Sequence, residues 1–131
     1  MIIEELKDYL VQETSLEFGK DLFIGKLPQD KQNVVVMSTS PSPSIEYNFN
    51  DRYGYQEQNI LFRIRGNEKE NITRQLAEEV MDALENISNI NLGDYRVIRG
   101  VFETPIHQIE RDDNNNFIYV GFYSIMIEKG E

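Results

Sequence analysis

The chain has 131 residues, 40% of them hydrophobic, with seven tyrosines and seven phenylalanines, so it is long enough to fold around one core without cross-links. It has no cysteine, which excludes disulfides and thiolate metal sites. Its 23 acidic and 13 basic residues give a formal net charge of −10, which disfavours nonspecific binding to nucleic acids and anionic membranes.

The sequence predicts a soluble, intracellular protein with a single domain over residues 1–131. No apolar run approaches the roughly 20 residues of a membrane span, and the acidic start of the chain is unlike a signal peptide. We find no internal repeat, linker or second domain.

The first predicted elements are a helix and two strands. Apolar residues recur at helical spacing between acidic ones over residues 2–14, which predicts an amphipathic helix. Residues 22–24 form a short strand candidate. Residues 33–39 are β-branched and continuously apolar, which is typical of a strand inside a sheet.

Residues 40–58 show no clear regular structure and form a candidate arm. A loop of this length in a compact domain is usually functional, and its aromatic side chains would be costly to leave in water. We therefore predict a projecting, partly β-structured arm; the alternative is that its aromatics fold back on the core. The aromatic residues are Tyr47, Phe49, Tyr53 and Tyr55.

The next strand candidate, residues 59–65, alternates between apolar and other residues. Its alternation places Arg63 and Arg65 outward, on an exposed face. The inward residues are Ile60, Phe62 and Ile64. An apolar stripe from Ile72 to Ile87 then predicts a helix of about five turns.

The last third of the chain predicts a polar connection over residues 86–93 and strands over residues 95–103 and 106–109. A turn at residues 112–116 leads into a final strand, residues 117–127, which closes a hairpin with residues 106–111. The order of elements implies an α+β fold. It would have a single mixed, mainly antiparallel sheet, two helices packed on one face and the projecting arm.

The final strand is apolar on both alternating faces. At about 3.3 Å per residue it reaches roughly 36 Å, close to the diameter of a globule with a radius of gyration of about 14 Å. A strand covered on both faces over this length indicates a subunit of a larger assembly, joined by strand addition or by inserted aromatic rings.

Residue types argue against several kinds of chemistry. The glycines form no phosphate-binding loop, and the single histidine, His107, is expected to be an ordinary surface or packed residue. Residues 112–116 partly match a calcium loop. However, Phe117 and Tyr123 stand where such a loop requires glycine and glutamate. We therefore predict no catalytic residue, cofactor or metal.

The remaining carboxylates can be interpreted as ordinary solvated residues or as functional ones. Glu110, Asp112 and Asp113 are expected to be solvated, and the acids of the second helix to form a hydrated face or an acidic surface toward a duct or partner. An enzyme that uses the three former carboxylates with a divalent metal stays open as an alternative.

The order of short motifs resembles that of small phage proteins of the minor capsid or tail-completion type. Leu27-Pro28 before residues 33–36 is similar to their "LP…N-x-V-V" opening, and residues 62–66 to a strand ending in Arg-Gly. Residues 109–112 with 117–122 resemble their closing hairpin, although Glu110 stands where a small residue is common. The resemblance covers most of the chain beyond residue 20.

The family so identified is the phage tail terminator group, and the resemblance implies its properties. Members have a sheet with helices on one side and act as rings, usually hexamers, which end the tail tube and dock onto the head connector. The resemblance implies a structural, non-enzymatic protein of the virion tail or neck, assembled in the host bacterial cytoplasm. Its partners would be copies of itself, the tail tube protein and the head–tail connector, while DNA would pass through the lumen without specific binding.

Aromatic and arginine residues dominate interface energetics. The predicted interface is therefore the arm aromatics with Arg63 and Arg65, unless those arginines pair with helix carboxylates of their own subunit. A second class of function also stays open: an α+β module whose 40–58 loop closes over a ligand or peptide.

Overall fold

Six strands and two helices make up the described part of the chain. The computed structural model describes residues 2–26, 31–40, 55–67, 69–85, 87–113 and 115–129. In chain order, the elements are α1 (Ile2–Glu13), β1 (Leu22–Ile24), β2 (Val34–Ser40), β3 (Tyr55–Arg65), α2 (Glu70–Leu84), β4 (Ser88–Leu92), β5 (Tyr95–Arg111) and β6 (Phe117–Lys129).

The strands form one sheet in the order β1-β2-β3-β6-β5-β4. β1 and β2 are parallel, and every other neighbouring pair is antiparallel. The sheet curls into an open half-barrel with two helices. The predicted α+β fold, with a mixed and mainly antiparallel sheet, is therefore confirmed.

β6 is the long central strand. It pairs with β3 from Arg65 opposite Ile118 to Tyr55 opposite Glu128, and with β5 from Arg111 opposite Phe117 to Tyr95 opposite Lys129. The predicted hairpin is confirmed. Because both edges of β6 are occupied within the chain, it cannot accept a further strand, so the predicted strand addition by this segment is wrong.

The core lies between the helices and one face of the sheet. Alternation along β3 sends every second side chain to this face, so the predicted inward residues Ile60, Phe62 and Ile64 are all buried. The helices contribute residues at helical spacing. These are Ile2, Ile3, Leu6 and Leu10 of α1 and Ala77, Val80 and Leu84 of α2.

A cluster of three rings fills the centre of the core. Tyr123 of β6 lies with its ring centroid 4.8 Å from that of Phe102 and 6.1 Å from that of Phe62. Its hydroxyl donates a 2.7 Å hydrogen bond to the Leu84 carbonyl at the end of α2. Burial raises the pKa of Tyr123, which keeps the hydroxyl protonated and able to donate. The sheet and α2 are thus joined by one buried bond.

The prediction of a polar connection at residues 86–93 is wrong, because β4 occupies residues 88–92. Only Ile90 and Leu92 turn toward the core, and both lie opposite inward positions of β5. An edge strand needs only a few inward apolar residues. The polar residues of β4 therefore made the segment look like a connection in the sequence. α2 is also shorter than predicted and ends at Leu84.

The two strands predicted over residues 95–103 and 106–109 are one strand, β5. Thr104-Pro105 does not end it, because the register with β6 shifts around these residues and a bulge tolerates proline. Gly121 opposite lets the backbones approach. A Cβ there would lie 2.9 Å from the Ile106 nitrogen.

The predicted arm is only partly described. Ser40 belongs to β2 and residues 55–58 to β3, so both ends of the 40–58 segment are strand. Residues 41–54 lie outside the described residues.

Removing the buried hydroxyl should weaken the fold. We expect Tyr123→Phe to lower the free energy of unfolding by about 1–3 kcal/mol, because the buried Leu84 carbonyl loses its donor. Urea unfolding followed by far-UV circular dichroism measures the change. Tyr95→Phe, at a half-buried tyrosine, is the control, with an expected change within about 0.5 kcal/mol. Equal losses for both variants would contradict the assignment.

Candidate functional site

The sheet face opposite the helices, here called the outer face, carries exposed apolar side chains. Because side chains alternate along a strand, β6 sends Ile118, Val120, Phe122, Ser124 and Met126 to this face. Ile118 is buried, but Phe122 and Met126 are each 41% exposed. The central strand is thus fully covered on its inner side and only partly covered on its outer side.

The strand register gathers these residues into one patch. Phe122 lies between Leu61 of β3 and Thr104 of β5, and Ser124 lies beside Val101. Arg63 is opposite Val120 at one end, and Arg99 is opposite Met126 at the other. We call this the outer patch; its members are Leu61, Val101, Val120, Phe122 and Met126, with Arg63 and Arg99 at its ends.

Some charged groups on the outer face have a hydrogen-bond or ion-pair partner within the described residues, and others do not. Glu57 accepts a 2.9 Å hydrogen bond from Ser124, and Glu128 lies 3.8 Å from Arg96. Arg63 and Arg99 are exposed, and within the described residues neither guanidinium has a hydrogen bond or ion pair. Phenylalanine, methionine and arginine are residue types enriched in the cores of protein interfaces.

Arg65 is not exposed as predicted. Its side chain is 17% exposed, and its Nε lies 3.6 Å from Asp112 Oδ2. Its Nη1 also donates a 3.4 Å hydrogen bond to the Lys31 carbonyl. This carboxylate partner, Asp112, lies in the hairpin turn and not on a helix. Of the two arginines that were predicted to be exposed, only Arg63 is exposed.

Asp112 holds the hairpin turn together, which corrects the prediction that it is solvated. Its Oδ1 accepts the Asn116 backbone N–H at 2.9 Å, and its Oδ2 lies 3.2 Å from the Asn116 amide nitrogen. Asn115 has φ of 64°, a conformation asparagine tolerates. Gln32 reaches Asn116 from before β2 at 2.8 Å. The turn predicted at 112–116 is confirmed, with Asp112 as a structural residue.

The structure places His107 on the surface. It is exposed, with Nδ1 2.8 Å from the Pro105 carbonyl oxygen. In the described part of the chain, no three histidine, cysteine, aspartate or glutamate residues are grouped as metal ligands, and neither helix is long and apolar enough to cross a membrane.

A cleft between α1 and β4 is the feature that sequence reasoning missed. It has a volume of about 390 Å³, and Glu5, Asp8, Tyr9, Gln12 and Glu13 line its helix side. The acids recur at helical spacing, but without β4 nothing indicated what they face. We call this the acidic cleft; its β4 side is formed by Ile90, Asn91, Leu92 and Gly93.

The acidic cleft is lined by carboxylates, one of which has a buried oxygen without a hydrogen-bond donor within the described residues. Glu5 Oε2 is buried and has no hydrogen-bond partner within the described residues. The pKa of Tyr9 is raised by burial and then by the charge of Glu13. Both observations describe a concave, negatively charged site in which a carboxylate oxygen lacks a hydrogen-bond donor.

The other predicted interface residues are placed as follows. Tyr47, Phe49 and Tyr53 lie outside the described residues. Tyr55 begins β3, opposite Glu128 of β6. The grouping of these aromatics with the two arginines stays a prediction.

A family model described as "Bacteriophage tail terminator protein" matches residues 9–129, which covers every element except the first half of α1. No curated protein sequence matches the chain.

The two neighbouring aspartates of the turn should differ sharply in their effect on stability. We expect Asp112→Ala to lower the free energy of unfolding by about 1–3 kcal/mol, because it removes the acceptor of the Asn116 backbone N–H and the carboxylate beside Arg65. Thermal and urea unfolding measure this. Asp113→Ala, at the exposed neighbour, is the matched control and should be nearly neutral. A neutral Asp112→Ala would refute the structural role.

Proposed function

The chain belongs to the bacteriophage tail terminator family and is thereby a structural protein of the phage tail; we propose that it forms a ring which ends the tail tube and joins it to the head connector. The observation that carries the proposal is the outer patch, an apolar surface with an arginine at each end and no helix of the described residues upon it. Surfaces of this kind mark sites of protein association.

The proposed partners are further copies of the chain, the tail tube protein and the head–tail connector. A ring requires two different surfaces on every subunit. We assign Arg63 to the interface together with the arm aromatics Tyr47, Phe49, Tyr53 and Tyr55. Arg65 acts behind this surface, where it holds the turn through Asp112.

DNA would pass through the ring without specific binding. Six copies, at −10 each, would carry a formal charge of about −60, although salt screens charges beyond about 8–10 Å. Exposed acids on and after α2, namely Glu70, Glu78, Asp82 and Glu85, are the proposed lining of the duct. They would repel the phosphate backbone. We place the protein in the tail or neck of the virion after assembly in the host bacterial cytoplasm.

Electron microscopy with tail tubes tests the terminator role. We expect negative stain to show a ring of density at one end of each tube when the purified protein is added, and bare ends without it. Phe122→Asp should abolish capping, because it puts a charge into the outer patch. Ile72→Asp, the same change at an exposed apolar residue of α2, should still cap. Bare tubes with the wild-type chain would refute the role.

The character of the duct is a separate prediction. A reconstruction of the ring on the tube should show a channel lined mainly by aspartate and glutamate, for the electrostatic reason given above. A channel lined mainly by lysine and arginine would contradict the proposed passage of DNA and leave the capping role intact.

A further inference from the structure

We propose that the acidic cleft of one copy receives the outer patch of the next, so that copies join head to tail with Arg63 and Arg99 toward the carboxylates of α1. This inference rests on the proposed function, since it assigns the surfaces through which the ring would assemble.

The outer patch supplies an apolar surface with an arginine at each end. Val120 and Met126 are six residues apart on β6, so the patch extends roughly 20 Å along the strand. Its exposed apolar residues are one phenylalanine and one methionine. The arginines at its ends have no partner within the described residues, while the acids nearby are engaged with Ser124 and Arg96. Glu57 keeps its negative charge in the bond from Ser124, so the two arginines are the cations that the patch offers to a partner.

The acidic cleft supplies the complement. Three of its nine lining residues are carboxylates and none is cationic. Asp8 is 71% exposed and pairs with Lys7 of its own helix at 2.7 Å, an exposed ion pair of little energetic value. A guanidinium presents five N–H donors in a rigid fork, which fits the exposed carboxylates of Asp8 and Glu13. Ile90 of the cleft, which is half-buried, can contact the apolar part of the patch.

The occupant we assign is a second copy of this chain because both complementary surfaces belong to one molecule. Two chains of charge −10 repel each other unless opposite local charges meet. The patch lies on the sheet face opposite the two helices, and the cleft lies beside α1. A contact between them leaves one free surface of each kind, so copies can add head to tail and close into a ring where the rotation between them permits.

Crosslinking tests the contact directly, because the chain has no cysteine. We would mix an affinity-tagged Arg63→Cys chain with an Asp8→Cys chain and add a short bismaleimide. We expect tagged–untagged dimers as the main product. Lys20→Cys, exposed in the loop before β1, replaces Asp8→Cys as the matched control and should give few. Predominant Arg63→Cys self-dimers, or equal yields with the control, would overturn the proposal.

Charge reversal with rescue gives an independent test by sedimentation. Arg63→Glu with Arg99→Glu should weaken self-association at least about tenfold. Adding Asp8→Arg and Glu13→Arg to the same chain should restore it. Arg74→Glu, on α2, is the control and should associate like the wild type. Loss of association on Glu78→Lys without loss on Glu13→Arg would move the acceptor to α2 and refute the cleft.

The two proposals fail in different ways. A wild-type chain that stays monomeric at every concentration overturns the head-to-tail contact, and so does a doubly reversed chain that associates normally but no longer caps tubes, since the patch would then bind the tube protein. Tube capping by the wild-type chain, read in the same preparation, decides the terminator role separately.

Discussion

β6 pairs with β3 along one edge and with β5 along the other, and this double pairing fixes what each face of the molecule can do. Because side chains alternate with a period of two, a slip of one residue would exchange Tyr123, Ile125 and Ile127 with Phe122 and Met126. The buried bond from Tyr123 to α2 and the outer patch therefore depend on the same register. The register of β6 therefore determines both which residues form the core and which form the candidate interface.

The register is held at the closed end of the hairpin. Asp112 binds Asn116 and lies beside Arg65, while the Gly66 N–H donates to the Phe117 carbonyl and the Phe117 N–H to the Asn67 carbonyl. These bonds tie the first residue of β6 to the end of β3. Arg65 thus has a structural role at the end of β3, two residues from the exposed Arg63.

The alternation of apolar and polar residues was enough to predict the cleanly alternating strands and the hairpin. The order of motifs identified the family. Three features followed from contacts that no local pattern contains. β4 is an edge strand with two inward residues, Pro105 is tolerated because β5 bulges opposite Gly121, and Arg65 is covered because the turn folds back on it. The acidic cleft was invisible for the same reason, since it exists only where α1 meets β4.

The edges of the sheet argue that association uses faces. β1 has three residues and is followed by Gly25 with φ of 96°; β4 has five, with Asn89 at φ of 54° and mostly polar side chains. Short, irregular, polar edges are how proteins discourage strand addition. With β6 enclosed, the surfaces left within the described residues are the outer patch and the helix layer. The arginines of the patch and the carboxylates of α1 favour contact between unlike faces, and such contacts give a ring only where the rotation between copies closes.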